Sequence, residues 1–507
     1  MKNLYLVTIL LLSSLECFAS NSIFNVRDFG AKGDGTTIDS ESINKAIIAA
    51  SEAGGGTVLF PAGTYASYSI RLKSNIRLFI DAGATILGAA PVENIGYDAP
   101  EEGAGNEYQD FGHSHWHNSL IWGENLENVT ICGPGTIYGK GLSRGGPYKV
   151  PVGNKAIALK LCRGVILKDF TILYGGHFGI LATGVDNFTI DNLKIDTNRD
   201  GIDVDCCKNV RISNCTVNSP WDDAICLKSS YALGYARATE NVTITNCQVS
   251  GYDRGTLIAG TYLRNEPHLV PDREGPTGRI KFGTESNGGF KKITISNCVF
   301  EYCRGLALET VDGGLLEDVT ISNVVMRDII NSPIFLRLGA RMRGPENTPV
   351  GELRRVSINN LVVYNADSRF SCLISGIPGN EIEDISLNNI KIWYKPLDAG
   401  TIIPDEVPEF EKGYPEPQKF GIIPAYGFFM RHVRNIQMNN VEVNLIGNQE
   451  RPAIWMTDVK GVELRNVSLT KTQGSPLMVL KDVSDLLIKD CRDLKDIKKK
   501  YVEYENE

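Results

Sequence analysis

From Val129 onward the chain keeps rewriting one line: VTICGPGTI, VILKDFTIL, FTIDNLKID, VRISNCTVN, VTITNCQVS, ITISNCVFE, VTISNVVMR, VSINNLVVY, ISLNNIKIW, IQMNNVEVN and VELRNVSLT. Each line alternates apolar and polar residues, breaks at a polar pair, then alternates again. Starts lie 22 to about 50 residues apart, the longer gaps being loop insertions. Self-similarity at such a period marks a solenoid, in which each repeat buries its apolar face only against its neighbours. Period-two alternation rich in β-branched residues makes the repeat a strand rather than a helix. Strands stacked at a constant offset run parallel, and parallel crossovers are right-handed. The predicted fold is all-β: a single-stranded, right-handed parallel β-helix with coils about 4.8 Å apart.

The centre of each line is Asn: 192, 214, 246, 297, 323, 360, 389, 440 and 466. Asn tolerates the left-handed backbone of a tight corner, and stacked amides hydrogen-bond from coil to coil. The column therefore reads as structural. Residues 40–53 carry helical periodicity (Ile43, Ala46, Ile47, Ala50), with Asp39 or Ser40 as N-cap and Gly54-Gly55-Gly56 as terminator. Such a helix closes the open edge that a solenoid leaves at its first coil. The segment after Lys489, rich in Lys and Asp, reads as a polar end cap or a frayed tail.

A chain of 507 residues suggests about three domains by length alone, but a solenoid grows by adding coils. The expected division is 1–19 as an export signal, 20–128 as the cap and first coils, and 129–507 as the solenoid, continuous with 20–128. The signal rests on Lys2, the apolar run Leu4 to Leu15, and Cys17-Phe18-Ala19 as a cleavage site. The expected location is secreted or periplasmic, with no membrane span. A net charge of −8 argues against nucleic acid. Of 12 cysteines, Cys215, Cys247 and Cys298 each follow a column Asn. They read as a buried row of small hydrophobes rather than a disulfide framework.

The Asn column also serves as a ruler. Eight residues beyond Asp169, Asn192, Asn214 and Asn246 stand His177, Asp200, Asp222 and Arg254. If no bulge intervenes, these four stack on one face, with Asp223 beside them. Asp is common at turns, but two carboxylates in register with a third adjacent repel one another. That repulsion raises at least one pKa and supplies a proton donor. Nothing in folding rewards it, so the cluster is a candidate acid/base site.

The stretches NRDGID (from Asn198) and SPWDDAICLKS (from Ser219) resemble the signature strands of glycoside hydrolase family 28, the polygalacturonases and rhamnogalacturonases. That family's pattern is NTDGID followed one coil later by GDDCIAIKS. FNVRDFGAKGDGTT near the start and SLIWGENLENVTICGPGTIYGKG are similar to it too. The resemblance implies a pectin-lyase-like β-helix and an inverting hydrolase that uses no cofactor and no metal. By it Asp222 is the general acid, and Asp200 with Asp223 activates water. Lys228 matches the lysine of the IKS segment, and Asn198 opens the first motif. The implied activity is cleavage of O-glycosidic bonds in pectic poly- or oligosaccharide by a monomer. Inserts at 232–237, 252–277 and near Glu411 that wall off the cleft favour exo-action.

Departures from the family pattern bear on the substrate. Thr277 stands where the family keeps a histidine after the double Asp. The Arg-Ile-Lys that grips a galacturonate carboxylate becomes Ala307-Leu308-Glu309, and a glutamate there repels an acidic sugar. The expectation is a rhamnogalacturonan-type linkage or a neutral sugar at that subsite. Arg279 and Lys281, alternating on one strand, and Arg254, Arg264 and Arg273 are the candidates to take over a carboxylate. Trp221 and Trp116 are candidate stacking platforms, Trp221 the better placed. Tyr426 and His432 fall where such enzymes keep an aromatic contact. His113, His115 and His117 alternate as metal ligands can, although the family needs none. Two other classes fit the scaffold less well: a polysaccharide lyase and a non-catalytic glycan binder.

Overall fold

The computed structural model describes residues 23–101, 107–110, 112–145, 150–265, 275–404 and 406–506. The expected signal, residues 1–19, and Arg273 lie outside the described residues.

The repeat lines fold as predicted, into a right-handed parallel β-helix with three strand-lined faces per coil. One face runs through Lys155–Lys160, Phe178–Thr183, Asp200–Asp205, Ile225–Ser229, Ile280–Ser286 and Leu306–Thr310, all parallel. The second runs through Arg163–Lys168, Asp186–Asp191, Lys208–Ser213 and Thr239–Thr245. The third is short: Thr171–Leu173, Lys194–Asp196, Thr216–Asn218 and Gln248–Ser250. From Phe290–Glu301 onward one long strand serves both the second and third faces. Alternation sends every second residue inward. Val165, Phe188, Val210, Val242, Ile293, Val319 and Val356 stack as neighbours and are buried.

The Asn column occupies the corner between the second and third faces. All nine residues adopt positive φ, from 50° at Asn466 to 56° at Asn214. Their amides link coil to coil, Asn323 to Asn297 at 3.0 Å, Asn360 to Asn323 at 3.0 Å and Asn440 to Asn389 at 2.7 Å. A second ladder at the preceding corner went unread in the sequence: Asn128 bonds Asn75 and Asn241 bonds Asn209, both at 3.0 Å. Every cysteine among the described residues is free, and Cys215, Cys247 and Cys298 are buried.

Helix Ser40–Glu52 buries Ile43, Ala46, Ile47 and Ala50 over the first coil. Asp39 stands at its N-cap but spends its carboxylate on the N–H groups of Lys32 and Gly33. At the other end the expected cap or frayed tail is an ordered strand. Ile497–Asn506 pairs antiparallel with Met478–Lys489, and its Lys498, Lys499 and Lys500 keep the final edge charged. Among the described residues no helix is long and apolar enough to cross a membrane.

Candidate active site

The three aspartates meet on the first face, but not in the register counted from the Asn column. Asp196 pairs with Asn218, an offset of 22, whereas Ile202 pairs with Ile225, an offset of 23. The turn after Asn218 is therefore one residue longer. The Gly201 N–H donates to the Asp223 carbonyl at 3.0 Å, so Asp223, not Asp222, stacks on Asp200. Asp222 is the extra residue and stands beside the pair. On the coil before, Phe178 rather than His177 pairs with Asp200. Arg254 does not stack at all: it follows the strand Gln248–Ser250, and the face resumes only where Ile280 pairs with Ile225. Gly201 permits the close stacking, since a Cβ there would lie 2.5 Å from the Ala224 carbonyl oxygen.

One carboxylate oxygen from each of Asp200, Asp222 and Asp223 falls within 4.8 Å of the others. All three are buried. Burial first, then the charges of Asp222 and Asp203, holds the Asp200 carboxyl well above the usual range. Arg199, unremarked in the sequence, donates Nε to Asp222 at 2.9 Å and lies 3.7 Å from Asp200. Its signal was visible as the Arg of NRDGID, where the family pattern has Thr. His177 Nδ1 is 3.1 Å from Arg199 Nη1 and 3.0 Å from the Arg144 carbonyl oxygen. Burial, then Arg199, keeps that imidazole neutral. Asn198 is half-buried beside Arg199, with its Oδ1 lacking a hydrogen-bond partner among the described residues.

Asp223 is gripped from the other side. Arg279 donates Nε to it at 2.8 Å and Nη2 to Glu416 at 2.6 Å, and Arg304 reaches Glu416 at 2.8 Å. Lys281 lies 3.6 to 3.8 Å from Glu309, Asp223 and Glu416. Arg279 and Lys281 thus answer the protein's own carboxylates, contrary to the expectation that they stand open to a sugar acid. Glu309 is fully buried, and its charge is met by Lys281 at 3.6 Å. Burial pushes it up to about 7 against the pull of Lys281 and Arg279. Lys228 pairs with Glu285 at 3.1 Å and approaches Asp203 at 3.7 Å. Thr277, at the family's histidine position, is buried with its hydroxyl unpartnered among the described residues.

Several expected contacts are corrected. Trp221 is buried between the guanidinium groups of Arg144, 3.4 Å from the ring centroid, and Arg254, at 4.9 Å. Neither it nor the buried Trp116 offers a ring face to a sugar. Tyr426 is fully buried in the coil interior, its hydroxyl on the Thr470 carbonyl at 2.6 Å. His432 sits between Asp458 and Glu409. The three loop histidines go separate ways: His113 lies 3.5 Å from Asp203, His115 approaches the Glu101 carbonyl oxygen, and His117 stacks on Trp122 beside Glu124. They form no shared metal site. The one described group close enough to share a cation is the Asp200–Asp222–Asp223 set, and Arg199 and Arg279 are seated on it. Glu416 belongs to a Pro-rich loop, with no sequence signal tying it to Arg279.

The raised Asp200 pKa has a stability consequence. Its sign follows from linkage: folding is favoured below the unfolded pKa of about 3.9, and that advantage is lost as pH rises through the folded value. Asp200→Asn is expected to be more stable than wild type at neutral pH, with no gain at pH 3. Urea denaturation at both pH values checks this; a variant less stable at pH 7 refutes the burial penalty.

Stacked, buried carboxylates, one of them with a raised pKa, on one face of a parallel β-helix fit one class: glycosidases on a solenoid scaffold. Comparison with known proteins agrees. Residues 102–256 match the model "Glycosyl hydrolases family 28", and residues 23–141 match "Rhamnogalacturonase A/epimerase, pectate lyase-like". A probable polygalacturonase of Vitis vinifera is 25% identical over 75% of this chain and 76% of its own. Two solved structures share the fold at 20% identity. The exopolygalacturonase of Thermotoga maritima has a TM-score of 0.59 and covers 83% of this chain and 92% of its own. The family 28 exopolygalacturonase of Yersinia enterocolitica has a TM-score of 0.63 and covers 87% and 78%. The chain is a polygalacturonase-like glycosidase, and residues 102–256 carry its match to glycosyl hydrolases family 28.

Proposed function

We propose that this protein is an exported, inverting, exo-acting hydrolase of galacturonide linkages in pectic chains. The observation that carries it is the stacking of Asp223 on Asp200 with Asp222 inserted beside them. Asp222 acts as general acid on the glycosidic oxygen, and Asp200 and Asp223 orient and deprotonate the attacking water. Arg199 lies on Asp222 at 2.9 Å, and burial with the charges of Asp222 and Asp203 raises the Asp200 carboxyl. Asp222 must carry a proton as the glycosidic oxygen departs, and the water's proton passes to Asp200 or Asp223. The closest carboxylate oxygens approach more tightly than the about 6.5–9.5 Å usual for inverting carboxyl pairs. Inversion therefore rests on the resemblance to glycosyl hydrolases family 28.

Exo-action is supported by the loops over the first face. Residues 407–410 lie against it: Arg337 donates to the Glu409 and Phe410 carbonyls, and Arg431 to those of Val407 and Pro408. Export is supported by the basic and apolar start of the chain. A monomer with no cofactor completes the reading. The test is time-resolved product analysis on homogalacturonan, rhamnogalacturonan and their oligosaccharides, with the anomer read by proton NMR. The expected result is early release of one small acidic product with inverted anomeric configuration. Mixed large oligomers at early times sink exo-action, and retention sinks the assigned roles.

A further inference from the structure

The loop that leaves the third face after Ser250 serves two places. Its Arg254 lies over the Trp221 ring at the catalytic corner. Its Tyr262 and Arg264 lie back against the third face, where they wall an open groove of about 450 Å³. Gln248 and Glu301 give that groove a polar rim, and Leu257, Val299 and Tyr262 give it an apolar surface. Small-ligand sites occupy about 300–1,000 Å³. The loop is held in shape by its own hydrogen bonds. The Asp253 N–H donates to the Leu263 carbonyl at 2.8 Å, and the Asp253 carboxylate accepts the Asn265 N–H at 2.7 Å. Asp196 accepts the N–H groups of Gly255 at 2.8 Å and Ile258 at 3.1 Å. Tyr262 sits at φ 48°, which a bulky side chain rarely adopts, and is 53% exposed. Backbone held in such a region by its surroundings is characteristic of ligand clamps. Beyond the groove, Val299 stacks in register with Val325 and Val362, and all three are exposed where a sheet usually turns polar residues to water.

We propose that this groove is a second carbohydrate site, off the catalytic face, that takes neutral sugar residues of a polysaccharide. A sugar ring has an apolar C–H face and a rim of hydroxyls. The Tyr262 ring and Val299 suit the face. Glu301 and Gln248 suit the rim, because a carboxylate accepts from hydroxyls and an amide both donates and accepts. Charge decides against an acidic sugar. Arg264 already answers Glu301 at 3.0 Å and Asp328 at 2.8 Å, two carboxylates on one guanidinium. The same guanidinium lies 4.5 Å from the Tyr302 ring centroid and 5.5 Å from that of Tyr252. A sugar carboxylate would have to displace one acid and meet the repulsion of the other. An apolar face of a second copy fits less well, since it would bury Glu301 with no hydroxyl to satisfy it. The site stands on the third face and does not rest on the roles given to the aspartates.

The test is affinity electrophoresis of the full chain through native gels containing galactan, arabinan, xyloglucan or homogalacturonan, in an Asp222→Asn background that leaves the polymers uncut. At least one neutral polymer is expected to retard the parent, and which one does so identifies the source of the sugar. Tyr262→Ala is expected to weaken that retention about tenfold, the loss of one aromatic platform. Val299→Lys, a second exposed position, is expected to weaken it as well, so the result does not hang on one variant. Retention by homogalacturonan is expected to be the same in parent and variants. A parent that no neutral polymer retards, or neutral retention unchanged in Tyr262→Ala, overturns the inference. So does a loss confined to homogalacturonan, which would make the groove an acidic-sugar site. Sedimentation supplies the remaining outcome: a concentration-dependent dimer that Val299→Lys dissolves makes this face a self-interface and overturns the sugar site.

Discussion

Asp222→Asn is expected to lower turnover on a pectic oligosaccharide by about 100- to 10,000-fold, the span that a positioned general acid contributes. An amide has the shape of the carboxyl and can still hydrogen-bond a sugar, but it cannot hand a proton to the leaving oxygen. The variant also unseats Arg199, which loses its anion at 2.9 Å. Binding of the substrate is nevertheless expected to persist, because the amide keeps the carboxyl's shape and Asp200 remains 3.7 Å from Arg199. Reducing-sugar release gives turnover, and calorimetry gives affinity. Unchanged hydrolysis removes Asp222 from the chemistry. Lost binding together with lost turnover makes its role structural.

Glu416→Ala is expected to cost about 3–5 kcal/mol of stability, the range for breaking a buried ion pair from one side. Glu416 answers Arg279 and Arg304 together, and all three are buried. Removing it leaves two guanidinium groups out of water, with Asp223 the remaining close anion on Arg279. Phe420 and Ile423 pack on Phe335 and Phe429 beyond it, so the segment stays near the coil even when its charge anchor is gone. Urea unfolding measures the loss. Glu406→Gln, exposed on the same segment, serves as comparison and is expected to change stability by less than about 0.5 kcal/mol. Equal effects at the two positions refute the shared-anion account.

What the chain disclosed in advance follows from what repeats. Asn192 through Asn466 were legible because every coil needs the same left-handed corner, so one residue type recurs at one place. Asp200, Asp222 and Asp223 were legible because clustered carboxylates serve no folding purpose. Their register was not, because an offset counted from the Asn corner cannot see one extra residue in the next turn. The sequence offered no sign that Lys281 would meet Glu309, or that Tyr426 points into the coil interior, since both follow from how distant coils stack. Glu416 reaches Arg279 from 137 residues along the chain, a pairing that no local pattern encodes. Arg199 was written inside the motif and went unread because Asp200 and Asp203 beside it drew the reading.

The longer turn after Asn218 leaves the interior columns untouched: Ile202 still meets Ile225, and Val217 still meets Val249. The outward pairs hold too, Asp203 on Cys226 and Asp205 on Lys228, so the extra residue is absorbed within the turn, where it sets Asp222 beside the stacked pair. A family built this way can shift an acid relative to its base by changing turn length alone. Designed insertions at the corners after Asp196 or Ser250 are the natural place to retune the chemistry without rebuilding the fold.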